Sequence, residues 1–171
     1  MSRLIICDVQ PHDVGSYINW NMKAFVKMVN SYESILVLFN GEDFGWENEF
    51  DMMSGYEDWG IEIGSCDFFD KGYAYFRGLM DNGYDIDELV KYMVKRDVRD
   101  SRDLDEDVLM ELLDLDEVPG DNIFIPDVKD VLERWNGSDL CGGGANECLA
   151  ELRILMDAMG MQYNVLNRWV Y

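Results

Sequence analysis

The sequence predicts one α/β domain: a three-layer, Rossmann-like fold with a mostly parallel sheet and helices on both faces. Three observations predict it. Short, near-continuous apolar runs recur along the chain, as strands buried on both faces require. Stripes of apolar residues at helical spacing lie between those runs. The chain has 171 residues, of which 48% are hydrophobic, enough for a single continuous core spanning residues 1–171.

The first run is Leu4-Ile5-Ile6-Cys7, a buried strand that ends at Asp8. Val14, Ile18, Met22, Phe25 and Val29 follow at spacings of four, four, three and four, predicting a helix over about 14–31. Residues 35–39, Ile-Leu-Val-Leu-Phe, form a second buried strand that stops at Asn40-Gly41. A strand, a helix and another buried strand make the crossover unit of a parallel sheet. From 42 to 65 the chain is rich in Gly, Trp and acids, with a short helix around Phe50, Met53 and Tyr56. Residues 66–70 read as a third strand, followed at once by Lys71. A helical stretch over about 74–113 comes in two or three pieces, joined by the charged run from Asp97 to Asp107. Pro119-Gly120 precedes a predicted strand at 122–125 and a helix through Val128, Val131, Leu132 and Trp135. The strand at 138–141 then runs into Gly142-Gly143-Gly144-Ala145-Asn146-Glu147-Cys148, and a helix carrying Leu149, Leu152, Leu155 and Met156 follows. Tyr163-Asn164-Val165-Leu166 closes the sheet.

Composition narrows the functional classes. With 14 basic against 35 acidic side chains the formal net charge is −21, a field that repels nucleic-acid phosphates and anionic membrane surfaces. The same excess would suit a decoy that imitates DNA for a basic partner. No stretch approaches the length of a membrane span, and the opening apolar run is too short for a signal peptide. The expected location is cytoplasmic. Cys7, Cys66, Cys141 and Cys148 show no metal-binding spacing, so reduced thiols are expected.

In an open parallel sheet, ligands collect beyond the carboxyl ends of the strands. Asp8, Lys71 and Cys148 all fall at such ends. A Gly-rich turn delivers Cys148 to the first turn of a helix, where unpaired N–H groups and the helix dipole lower a thiol's pKa. Backbone N–H groups of Gly143, Gly144 and Cys148 could hold an oxyanion, and the glycines let a substrate approach closely. Against this stands a plain alternative: a small buried cysteine opening a core helix. Asp8 could accept a thiol proton or simply cap the turn at Gln10-Pro11. Lys71 could hold anionic charge or be an ordinary loop lysine.

Taken together, these residues resemble the isochorismatase-like cysteine hydrolases, the family of nicotinamidases and carbamoyl-amide hydrolases. Asp8-Val9-Gln10 is similar to the family's D-x-Q opening. Lys71, five residues before Phe76, resembles its mid-chain lysine, and Gly142, six before Cys148, its glycine ahead of the nucleophile. The resemblance implies catalysis by Asp8, Lys71 and Cys148 on a small-molecule amide or related C–N bond, with Tyr73, Phe76 and Asn146 as candidate substrate contacts. The family usually carries a bulky residue, a variable one, threonine and aspartate where this chain has Gly143, Gly144, Ala145 and Asn146, and it holds a cis peptide at the place of Gly143-Gly144. The Lys71 to Cys148 interval exceeds the family's, which implies a helical insertion at about 84–117.

The metal-binding branch uses an aspartate and histidines after strand two. Here Asn40-Gly41-Glu42-Asp43 stands there, and His12 is the lone histidine. Glu42, Asp43, Glu47 and Glu49 could attract a hard cation, but a solvated acidic loop is the expected reading, with no metal and no cofactor. Trp46, Trp59 and Tyr75 could stack on a planar substrate or belong to the core. Trp169 and Tyr171, if exposed, would fit a homo-oligomer interface. A second reading is a catalytically silent domain of this fold whose acidic surface or inserted helices bind another protein.

Overall fold

The computed structural model describes residues 1–41, 48–71 and 76–171. Five strands, β1 (Arg3–Cys7), β2 (Ser34–Phe39), β3 (Cys66–Asp70), β4 (Ser138–Gly142) and β5 (Tyr163–Val165), form one sheet in the order β3-β2-β1-β4-β5. Every neighbouring pair is parallel. Parallel neighbours require crossovers. Helix α1 (Met22–Val29) joins β1 to β2, and α2 (Glu49–Trp59) joins β2 to β3. Between β3 and β4 lie α3 (Arg77–Asp81), α4 (Asp87–Arg96), α5 (Glu106–Leu113) and α6 (Val128–Leu132). Helix α7 (Cys148–Ala158) joins β4 to β5.

Alternation along each strand divides the core into two layers. Leu4 and Ile6 of β1, with Ile35, Val37 and Phe39 of β2, pack against Phe25 and Val29 of α1 and Met52 and Tyr56 of α2. Ile5, Cys7, Leu36, Leu38 and Leu140 face the opposite side, under α4, α5, α6 and α7. Residues 84–117, expected as an added element, hold α4 and α5, and Leu89, Val90 and Met93 of α4 are fully buried in this second layer. The three-layer α/β architecture is therefore the one that the apolar pattern predicts. Among the described residues no helix is long and apolar enough to cross a membrane.

Three expectations need correction. The helix predicted over 14–31 is confined to α1. Asn21 caps its start by accepting from the Ala24 N–H, and Gly15, at φ +87°, belongs to a turn in which the Asp13 carbonyl accepts from Ser16, Tyr17 and Ile18. Ile18 is still buried, so its spacing from Val14 reflects a turn that folds an apolar side chain inward. The segment 122–125 does not join the sheet. Ile123 and Ile125 are buried, but their backbone pairs with residues 99–101, through Ser101 N–H to Ile123 and Ile125 N–H to Arg99. Trp169 is not an exposed interface residue: it lies against Phe25 and Trp20, with ring centroids 5.4 and 5.6 Å apart.

Candidate functional site

The chain runs outward from β1 through β2 to β3, then crosses back to place β4 on the other side of β1. The strand order thus switches between β1 and β4, and in such sheets ligands collect at the carboxyl edge of the switch point. Asp8 follows β1, Lys71 follows β3 and Cys148 begins the helix after β4. The fold brings these three together. Lys71 Nζ lies 2.9 Å from Asp8 Oδ2, both side chains being buried, and Lys71 and Cys148 line one small cavity.

Several contacts hold Asp8 in place. Its backbone is in the left-handed region at φ +48°, a conformation that costs a non-glycine residue on the order of 1 kcal/mol and is tolerated best by Asn and Asp. Leu38 O accepts from the Asp8 N–H, and the Tyr171 hydroxyl donates to the Asp8 carbonyl. Gln10 acts at one remove. Its side-chain amide pairs with the Asn40 backbone in both directions, at 3.0 and 3.3 Å, and Asn40 Nδ2 in turn donates to Asp8 Oδ1 at 3.2 Å. Asn40 Oδ1 is buried without a partner among the described residues. Oδ1 is therefore held by Asn40, while Oδ2 serves Lys71 and stands 3.6 Å from the Cys7 thiol.

The glycine turn is shaped by crowding. Gly142 sits at φ +81°, and a Cβ there would fall 2.2 Å from the Cys7 carbonyl oxygen and 2.7 Å from the Val9 side chain. Gly142→Ala should therefore lower stability by roughly 3 kcal/mol or more, combining backbone strain with overpacking. Gly120→Ala, where nothing lies within 4 Å, should be near neutral. Urea denaturation of both variants checks this contrast. Further along the turn, Ala145 N–H donates to Tyr171 O, Tyr171 N–H donates to Gly143 O, and Glu147 N–H donates to Gly144 O. The Gly143-Gly144 peptide is trans, unlike the cis bond that the resemblance implies.

The electrostatics differ from expectation in one respect. Burial and the Asp8 carboxylate push the Cys148 thiol up to about 12, and Lys71 only partly offsets them. The predicted depression at the helix start is overridden by burial first and by the Asp8 charge second. The resting site is a neutral thiol beside an Asp8–Lys71 ion pair.

Among the candidate substrate contacts, Phe76 is buried and lines a small apolar cavity of about 20 Å³ with Lys71, Pro126, Val128, Cys148, Glu151 and Leu152, room for about one water. Asn146 is exposed on the turn and is not among the cavity's lining residues. Tyr73, Trp46, Tyr75 and the acids Glu42, Asp43 and Glu47 lie outside the described residues. Trp59 packs on Tyr56, whose hydroxyl donates to Val9 O, so it braces the β1 loop from the opposite layer.

Sequence reasoning missed two residues beside the thiol. Arg77 Nη2 lies 3.7 Å from Cys148 Sγ and 3.5 Å from Glu151 Oε2. Glu151 is buried and accepts from the Phe76 N–H at 3.0 Å, and burial raises its pKa. Glu151 had a readable signal, since it stands three positions after Cys148 on one helix and shares its face. Arg77 had none beyond its place next to Phe76.

Comparison of the chain with protein-family models, with curated proteins and with solved structures finds no match.

Proposed function

We propose that this protein is a cysteine hydrolase of the isochorismatase-like type, cleaving a small-molecule amide or related C–N bond. The observation that supports it best is a buried Asp8–Lys71 ion pair at 2.9 Å whose lysine lines one cavity with Cys148, at the switch point of the sheet. In this reading Asp8 takes the thiol proton as the sulfur lone pair forms a bond to the carbonyl carbon and the carbonyl π pair moves onto oxygen. The intermediate collapses, and the departing nitrogen leaves with the proton from Asp8. Water then attacks the thioester, giving its proton to Asp8, and the acid is released as the proton returns to sulfur. Because the thiol is neutral at rest, proton transfer accompanies attack. Lys71 pairs with Asp8 beforehand and faces the negative charge that develops as the thiol proton moves.

The test is release of amine or ammonia from a panel of small primary and secondary amides, with acid-quenched mass spectrometry of the peptide containing Cys148. An acyl adduct on Cys148 supports the reading. Neither product nor adduct across the panel would favour a non-catalytic domain that binds a basic partner through its acidic surface. Lys71→Met should reduce turnover on the order of 10²-fold and move Cys148 ionisation to higher pH, since the ammonium lowers the thiol's pKa. Turnover that ignores this substitution would remove Lys71 from the mechanism.

A further inference from the structure

A cation in contact with the sulfur has no part in the mechanism above. Arg77, the first residue of α3, directs Nη2 to within 3.7 Å of Cys148 Sγ. Its donors are poorly used. Nε is buried and has no hydrogen-bond partner among the described residues. Nη2 meets Glu151 only at 3.5 Å, and Nη1 reaches the exposed Glu147 at 3.9 Å, an ion-pair distance and not a hydrogen bond. Glu151 does not grip the guanidinium in a fork either: its other oxygen accepts from the Phe76 N–H. A guanidinium offers five N–H donors in a rigid fork, so an arginine that served only to neutralise Glu151 would be expected to engage it in two short parallel bonds. In a chain with 14 basic side chains against 35 acidic ones, an under-used arginine beside the candidate nucleophile has a chemical meaning.

We infer that Arg77 is a catalytic residue that donates to the oxyanion of the tetrahedral intermediate formed on Cys148. The inference rests on the cysteine-hydrolase reading and deepens it. When sulfur bonds to the carbonyl carbon, the oxygen that receives the π pair is two bonds from Sγ, so a donor already in contact with sulfur is within reach of it. Useful donors lie about 2.7–3.1 Å from where that oxygen develops. Other nearby donors are engaged elsewhere, while the N–H groups of Gly143, Gly144 and Cys148 would act beside Arg77. Lys71 is bound to Asp8 at 2.9 Å, and the turn amides of Ala145 and Glu147 are spent on Tyr171 and Gly144. Collapse of the intermediate returns the electron pair from oxygen and expels the leaving group, after which Arg77 regains its resting contacts unchanged.

The experiment compares two reactions of Cys148, one that builds an oxyanion and one that does not. Acylation by 4-nitrophenyl acetate passes through a tetrahedral oxyanion, whereas alkylation by iodoacetamide is a direct displacement at carbon that does not. Both rates are measured at Cys148 by peptide mass spectrometry for the wild type, Arg77→Met, Arg77→Lys and the double variant Arg77→Met/Glu151→Gln, which leaves no buried carboxylate unpaired. The expected result is a loss of acylation on the order of 10² to 10³-fold in both Met variants, partial recovery in Arg77→Lys, and alkylation changed by less than about tenfold. Equal losses in both reactions would mean that Arg77 acts on the thiolate alone and would overturn the assignment. Unchanged acylation in variants that keep the wild-type melting curve would overturn it as well. Failure of the wild-type protein to be acylated at Cys148 is a separate outcome, which removes the cysteine-hydrolase reading and the Arg77 assignment with it.

Discussion

Cys148→Ala is expected to abolish turnover on every amide that the wild-type protein cleaves, and Cys141→Ala to leave most of it. Removal of a covalent nucleophile costs on the order of 10⁶ in rate, because the base and the oxyanion donors then have no adduct to act upon. The two cysteines are seven positions apart but lie in different layers. Cys148 packs against the layer of α4 to α7, whereas Cys141 is fully buried against the layer that holds Tyr56 and Trp169. Burial raises the Cys141 thiol, and Asp139 raises it further, so nothing there makes a nucleophile. Its loss should cost about 1 kcal/mol of stability and little activity. Initial rates on the amide panel and urea midpoints for both variants give the comparison. Wild-type rates in Cys148→Ala would end the proposal.

Asp8→Asn should move two measurements in opposite directions. Turnover should fall by a factor of about 10² to 10⁴, since an amide cannot accept the thiol proton. Alkylation of Cys148 by iodoacetamide near neutral pH should become faster. The sign follows from the site's charges. In the wild type burial and repulsion by the Asp8 carboxylate raise the thiol while Lys71 lowers it, and the balance stands near 12. Removing the carboxylate leaves Lys71 as an unpaired buried cation, a state that costs about 3–5 kcal/mol. A Cys148 thiolate relieves that cost by becoming its counterion. The alkylation rate against pH should therefore rise at lower pH in Asp8→Asn than in the wild type. A variant that lost turnover and also alkylated more slowly would show that Asp8 keeps the site folded and does not serve as its base.

The same charges explain why the helix start misleads at Cys148. A Gly-rich turn followed by a cysteine at the first helical position reads as an activated thiol, since local backbone dipoles favour the thiolate. The fold buries the thiol and adds the charge of Asp8, 140 positions earlier in the chain, and together these dominate over the partial charges of the turn.

What the sequence by itself determined is the layer plan and the three side chains at its carboxyl edge. Uninterrupted apolar runs such as Leu4 to Cys7 and Ile35 to Phe39 suit strands covered on both faces, and each such strand must end where polar groups begin, so Asp8, Lys71 and Cys148 were legible as edge residues. Helix lengths were less legible, because the spacing of Val14, Ile18 and Met22 cannot distinguish a helix from a turn that buries one side chain, and a single glycine at positive φ decides it. Only the tertiary structure decided which groups surround those three. Asn40 on Asp8, Tyr171 on the Asp8 carbonyl, and Arg77 and Glu151 beside Cys148 come from separate elements, brought into contact by strand order and helix packing. The physical reason is that periodicity reports how each segment divides itself between core and water, a local property. Proton affinity depends on charges a few ångströms away in space, and those are assigned by the topology of the sheet.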